Sequence, residues 1–162
     1  MIERTLVLIK PDGVERGLIG EIIQRFEQRG LKIIGMKMQW VDKKFAEKHY
    51  TEDITKRRGQ AVRDALLEFI TQGPIMVIVI EGVNAVENVR KIVGGTEPKT
   101  ALPGTIRGDY AHISYGRADE RKIAIANLIH ASSPGESEQE VKLWFTDKEL
   151  HSYTTVHDKH VL

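Results

Sequence analysis

Cysteine is absent from this chain of 162 residues, which excludes a disulfide framework and catalysis by a thiolate. An excess of charge of either sign is missing too: 24 basic and 23 acidic residues leave a formal charge of +1. Without a global field to draw nucleic acid or an anionic membrane, any phosphate binding has to be local. No apolar run approaches the roughly 18 residues of a membrane span, and no basic leader precedes an apolar stretch near Met1–Thr5. The expectation is one soluble cytoplasmic domain, residues 1–162, without membrane or nucleic-acid partners. A domain of this size buries about 70% of the surface its unfolded chain exposes and needs no metal to hold it.

What the chain has is a clear alternation of strand and helix patterns. Thr5 to Ile9 is a short apolar strand that ends in Lys10-Pro11-Asp12-Gly13, a turn. From Leu18 to Arg29 the apolar residues Leu18, Ile19, Ile22, Ile23 and Phe26 fall at helical spacing, and Gly30 is a natural stop. Leu31 to Val41 reads as a second strand, and Asp42 caps a short helix running through His49 and Tyr50. A polar, basic stretch from Thr51 to Gly59 precedes an amphipathic helix from Ala61 to Ile70. Ile75 to Ile80 is apolar at every position, the pattern of a central strand buried on both faces. Asn84 to Val93 is a further helix, Gly94 to Asp109 a long loop, and Ile123 to Ile129 a fourth strand. The order β-α-β-β-α-β predicts an α+β fold: a ferredoxin-like antiparallel sheet with helices on one face, plus extra helices between strands two and three. A loop as long as 94–109 inside a compact domain points to function.

Chemistry concentrates where that fourth strand gives way to small residues, at Asn127-Leu128-Ile129-His130-Ala131-Ser132. An imidazole, with an ordinary pKa of about 6.5, is mostly neutral at pH 7 and keeps a nucleophilic lone pair. A rigid strand before it and a small residue after it are what a nucleophile needs, though a histidine closing a core strand would read alike. Two other segments present cations: Lys10 at the end of the first strand, and Arg107 between glycines in Pro103-Gly104-Thr105-Ile106-Arg107-Gly108-Asp109. Lys10 read alone could also be an edge lysine that blunts sheet pairing.

Together with Arg16-Gly17-Leu18-Ile19-Gly20, His49-Tyr50, Gly73-Pro74 and Leu143-Trp144-Phe145, these segments resemble, in order, the signature segments of nucleoside diphosphate kinases from about Arg4 to Tyr153. The resemblance implies transfer of the γ-phosphoryl group from a nucleoside triphosphate to a nucleoside diphosphate, in a ping-pong reaction through a phosphohistidine at His130. It further implies that Glu140 orients that ring, that Lys10 contacts the moving phosphoryl group and that Tyr50 stands beside the phosphohistidine. Arg90, Arg107 and Thr96 match phosphate-binding residues, and Asn127 matches the asparagine at the ribose. Without the resemblance, Glu140 and Arg90 would pass for solvated helix residues. Magnesium is expected to arrive with the nucleotide, held by phosphate oxygens and water, with no protein metal site. Homo-oligomers are implied, hexamers ahead of tetramers.

The chain departs from that family at Ser133, where an aspartate is usual. It also departs in two longer segments, 51–62 and 111–122, the first of which lacks the aromatic residue that stacks on the base. Ile54 and Val62 are candidate apolar substitutes, and Arg57 or Arg58 could replace a family arginine. Two other classes of function compete: a regulatory nucleotide-binding protein whose insertions close the cleft, and a ferredoxin-like nucleic-acid module. The intact set of His130, Lys10, Arg107, Asn127 and Glu140 speaks against the first. The aliphatic third strand, with no aromatics to stack bases, speaks against the second.

Overall fold

The computed structural model describes residues 1–161. Four strands form one antiparallel sheet in the order β2-β3-β1-β4, with β1 Ile2–Ile9, β2 Lys32–Gln39, β3 Ile75–Val83 and β4 Ile129–Ala131. That is the split order the sequence predicts. The long runs of β1 and β3 lie side by side in the middle, Leu6 opposite Val79 and Leu8 opposite Val77. Being buried on both sides, they divide their side chains between two cores. Val7, Ile9, Ile78 and Ile80 face the first, while Leu6, Leu8, Val77 and Val79 face the second.

The first core is closed by α2 (Ile19–Gln28) and α6 (Ala85–Val93), which contribute Ile22, Phe26, Val89 and Val93. The additional helices predicted between β2 and β3 close the second. They are α3 (Lys43–His49) and α5 (Gln60–Thr71), joined there by α9 (Ser137–Trp144), and they bring Ala46, Leu67, Ile70, Val141 and Trp144 onto the sheet. Each such large apolar side chain contributes about 1.5–3 kcal/mol by leaving water. With both faces of β1 and β3 covered, the two central strands offer no open face for stacking bases. Asp42 caps α3 as expected, accepting from Phe45 N at 2.8 Å.

Five segments differ from the sequence expectation. The turn after β1 is the short helix α1 (Pro11–Glu15), opened by a proline that needs no N–H partner. Residues 52–58 form α4 (Glu52–Arg58), and 115–121 form α8 (Tyr115–Arg121), so both inserted segments are helical. The long loop is real but carries α7 (Ile106–Tyr110), capped by the Thr105 hydroxyl accepting from Gly108 N. The fourth strand is much shorter than Ile123 to Ile129. Ile129 already pairs with Ile9, the last residue of β1; Leu128 makes one more bond, to Lys10 N, and the position before it would face Pro11, which lacks an N–H and turns into α1. Residues 123–127 therefore have no strand to pair with, and the strand instead runs through His130 to Ala131.

Beyond α9 the chain returns along β2. His151 N donates to Ile34 O at 2.8 Å, and the Tyr153 hydroxyl donates to Ile33 O at 2.6 Å. This return covers the start of the β2 edge, and the last helix, α10 (Asp158–Val161), is tied to β2 through Asp158 and Lys32.

Candidate active site

His130 sits in the middle of β4, opposite Leu8, on a strand that is entered through a tight turn. Leu128 has φ +70, a conformation that side chains other than glycine seldom adopt. Ile129 N reaches back to Asn127 O at 2.8 Å across it. The strain persists because the turn is gripped from both sides: Leu128 N donates to Asp12 Oδ2 at 3.0 Å, and Leu128 O accepts from Lys10 N at 2.8 Å. The Lys10-Pro11-Asp12 corner thus fixes where β4 begins, and with it the position of His130.

The imidazole is held by Glu140 of α9. His130 Nε2 lies 3.2 and 3.0 Å from the two carboxylate oxygens. The same carboxylate accepts from the buried Ser132 hydroxyl, which itself accepts from Leu6 N at 3.2 Å. Burial pushes the Glu140 carboxyl up, but His130, then the charge of His49 and the Ser132 hydroxyl, outweigh it and hold it at about 2. An ionised carboxylate only accepts hydrogen bonds, so Nε2 of His130 carries the proton and Nδ1 keeps the free lone pair. Ser132 was visible in the sequence only as a nearby polar residue; its place on Glu140 follows from the alternation of β4.

Lys10 is 5% exposed and donates to Asn127 Oδ1 at 2.7 Å. Burial first, then the Arg107 charge, lowers the ammonium to about 8 against the pull of Asp12. Asn127, 1% exposed, passes the link on, its Nδ2 donating to Thr96 O at 2.8 Å. The Arg107 guanidinium ties together the Leu128 turn and the end of α6: Nε donates to Asn127 O, Nη1 to Gly94 O and Nη2 to Ile129 O. A guanidinium has five N–H donors, so two stay available to a ligand. Burial lowers this group to about 10, with Tyr115 opposing and Arg90 reinforcing. Exposed Arg90, from α6, makes one long contact of 3.5 Å to Ala131 O. Tyr50 follows α3, and burial pushes its phenol up. Buried Arg63 of α5 donates to the Tyr50 carbonyl at 2.8 Å, a support with no signal in the sequence.

All eight residues singled out from the sequence, Lys10, Tyr50, Arg90, Thr96, Arg107, Asn127, His130 and Glu140, line one open cleft of about 790 Å³. The two inserted segments do not close it. Of the four proposed substitutes for the missing aromatic and family arginine, Ile54, Arg57 and Arg58 line the cleft, whereas Val62 does not and Leu66 does. Arg58 of α4 stacks over the Tyr115 ring of α8 at 5.2 Å, so the two insertions meet at its edge.

His49 is the residue that sequence reasoning passed over, having noted it only as the neighbour of Tyr50. Its ring stands edge-on to His130, with centroids 4.7 Å apart at 87°. Burial first, then the His130 charge, pushes its imidazole down to about 3. Donor atoms of His49, His130 and Glu140 lie within 4.8 Å of one another, a spacing that suits a cation. Here the trio is closed instead by hydrogen bonds, from His130 to Glu140 and from Trp144 to His49. Among the described residues no helix is long and apolar enough to cross a membrane.

The family model for nucleoside diphosphate kinase matches residues 3–150. A nucleoside diphosphate kinase of Pyrococcus furiosus is 52% identical over 158 residues, covering 97% of this chain and 91% of the relative. Among solved structures, a transition-state mimic of the nucleoside diphosphate kinase of Borrelia burgdorferi with bound vanadate and ADP superposes with a TM-score of 0.96 at 43% identity, covering 99% of this chain and 96% of that one. The enzyme of Halobacterium salinarum in complex with CDP gives a TM-score of 0.84 at 40% identity, over 98% and 97% of the two chains.

Proposed function

The chain belongs to the nucleoside diphosphate kinase family, whose enzymes move phosphoryl groups between nucleotides, and we propose that it does so by ping-pong transfer through a phosphohistidine at His130. The observation that carries this reading is the orientation of one ring: Nε2 is spent on Glu140, and Nδ1 is left with its lone pair in a cleft that also holds Lys10, Arg90 and Arg107. In the first half-reaction Nδ1 attacks the γ-phosphorus of a nucleoside triphosphate. The bond from that phosphorus to the bridging oxygen breaks, and the diphosphate leaves with the electron pair. The second half-reaction reverses these steps onto another diphosphate.

Phosphoryl transfer asks the protein mainly for position and for charge opposite the phosphate oxygens. Lys10 supplies charge at the moving group, Arg90 and Arg107 hold the distal phosphates with Thr96, and Asn127 meets the ribose. Tyr50 stands beside the phosphorylated ring, and Glu140 keeps Nε2 protonated throughout. Magnesium brought in with the nucleotide would neutralise phosphate charge, and with Lys10, Arg90 and Arg107 at the phosphate end of the cleft its ligands would be phosphate oxygens and water.

We also assign copies of the chain to a homo-oligomer, hexamer ahead of tetramer, whose dimer joins β2 and α2 in a cytoplasmic enzyme. Met36 and Met38 support this, being 52% and 54% exposed on the sheet's edge strand. The enzyme reading is tested by steady-state kinetics with donor and acceptor varied together. Parallel double-reciprocal lines are expected; intersecting lines would mean direct transfer in a ternary complex.

A further inference from the structure

His49 has no part in the transfer described above, yet its side chain is enclosed directly beside the nucleophile. Its side chain is 2% exposed. Trp144 Nε1 is 3.2 Å from its Nδ1, and an indole nitrogen can only donate. Nδ1 of His49 must therefore accept, which places the ring's single proton on Nε2. That Nε2–H is buried and finds no partner among the described residues. Nδ1, meanwhile, is only 3.8 Å from Glu140 Oε1. A proton on Nδ1, whether in the other tautomer or in the cation, would have a carboxylate waiting for it. The ring thus forgoes an available acceptor and tolerates an orphaned donor, an arrangement that only the bond from Trp144 explains.

We propose that His49 is a positioning residue, fixed by Trp144 as the neutral Nε2–H tautomer so that it cannot compete with His130 for Glu140. The competition would be direct, because the same carboxylate sets the tautomer of the nucleophile. Were Nδ1 of His49 to donate to Glu140, His130 would be free to turn, and its Nδ1 would no longer be held toward the cleft. The charged and titratable groups facing His49 are Lys10 at the end of β1, His130 on β4, Glu140 on α9 and the adjoining Tyr50. Lys10 and His130 oppose a charge on the ring, Glu140 favours one, and Trp144 decides between them by filling Nδ1. Edge contacts complete the enclosure, with Trp144 at 5.6 Å from His49 and Phe45 at 4.7 Å from Trp144.

The inference rests on His130 as the nucleophile, and its first test needs no turnover. Nitrogen-15 spectra of the intact protein should place His49 in the neutral Nε2–H form at pH 7, and it should stay so through mild acid. A cation or an Nδ1–H ring there would overturn the proposal. Trp144→Phe keeps an aromatic edge but removes the donor. It should let Nδ1 of His49 take a proton, lower kcat/KM on the order of tenfold below neutrality and move the acid limb of its pH profile upward. In the double variant Trp144→Phe with His49→Phe, neither partner is left unpaired and nothing competes for Glu140, so the acid limb should return to its wild-type place. A merely structural role predicts the opposite, with the double variant worse than the single. An unmoved acid limb in Trp144→Phe, or no recovery in the double variant, would also overturn the proposal. Turnover surviving in His130→Ala would instead sink the reading of the nucleophile while leaving the tautomer of His49 as measured.

Discussion

Lys10 is where burial and function pull against each other most openly. In the unfolded chain its ammonium titrates at the ordinary 10.5, but in the fold burial brings it down to about 8. Between those values the unfolded state holds the extra proton, so stability rises with pH across that window. Phosphate binding moves the other way, because the charge it uses is lost as pH passes about 8. The expected profile of kcat/KM, which reports the free enzyme, bends downward above about pH 8, with the change appearing in KM before kcat. A flat profile up to about pH 9.5 would show that the charge of Lys10 is not what binds phosphate. At this scale the sequence was informative wherever residue type and function coincide, as for His130, Lys10 and Arg107. It marked Ser132 only as a polar neighbour and gave no role to His49 or Arg63, because such roles depend on which neighbours a buried polar atom meets.

At the scale of elements, the helices and the central strands were legible because their apolar residues repeat at the spacing of the structure they form. The insertions were not, since α4 buries no residue and α8 only Ala118, which leaves little periodic signal. The length of β4 was illegible for a different reason. An apolar run says nothing about whether a partner strand lies beside it, and here Pro11 removes that partner. Placement of Arg107 depends on one small residue. A Cβ on Gly108 would fall 2.1 Å from Leu102 O, which is backbone and cannot rotate away. Gly108→Ala should therefore displace α7, whose anchors include the bonds from Arg25 to Gly104 O and Asp109. Substrate binding should suffer first, with KM for the triphosphate rising about tenfold or more while the strained turn at Leu128 stays in place. An unchanged KM would mean that Arg107 is not set by this loop.

For the whole molecule, the edge of β2 is the surface left unfinished. The returning C-terminal segment covers Ile33 and Ile34, and the strand beyond them exposes Met36 and Met38 with Ile19 and Ile23 of α2 half-buried nearby. Sedimentation should find an oligomer at micromolar concentration, and Met36→Lys with Met38→Lys should shift it toward smaller species. A stable wild-type monomer would contradict that arrangement. In the proposed reaction one nitrogen of one histidine carries the phosphoryl group between nucleotides. The most direct measurement is to incubate the protein with a γ-labelled triphosphate and no acceptor, then locate the label. One acid-labile, base-stable phosphate per subunit is expected on His130, discharged by added diphosphate and absent from His130→Ala. Label on Ser132 or Ser133, or label undiminished in His130→Ala, would contradict it.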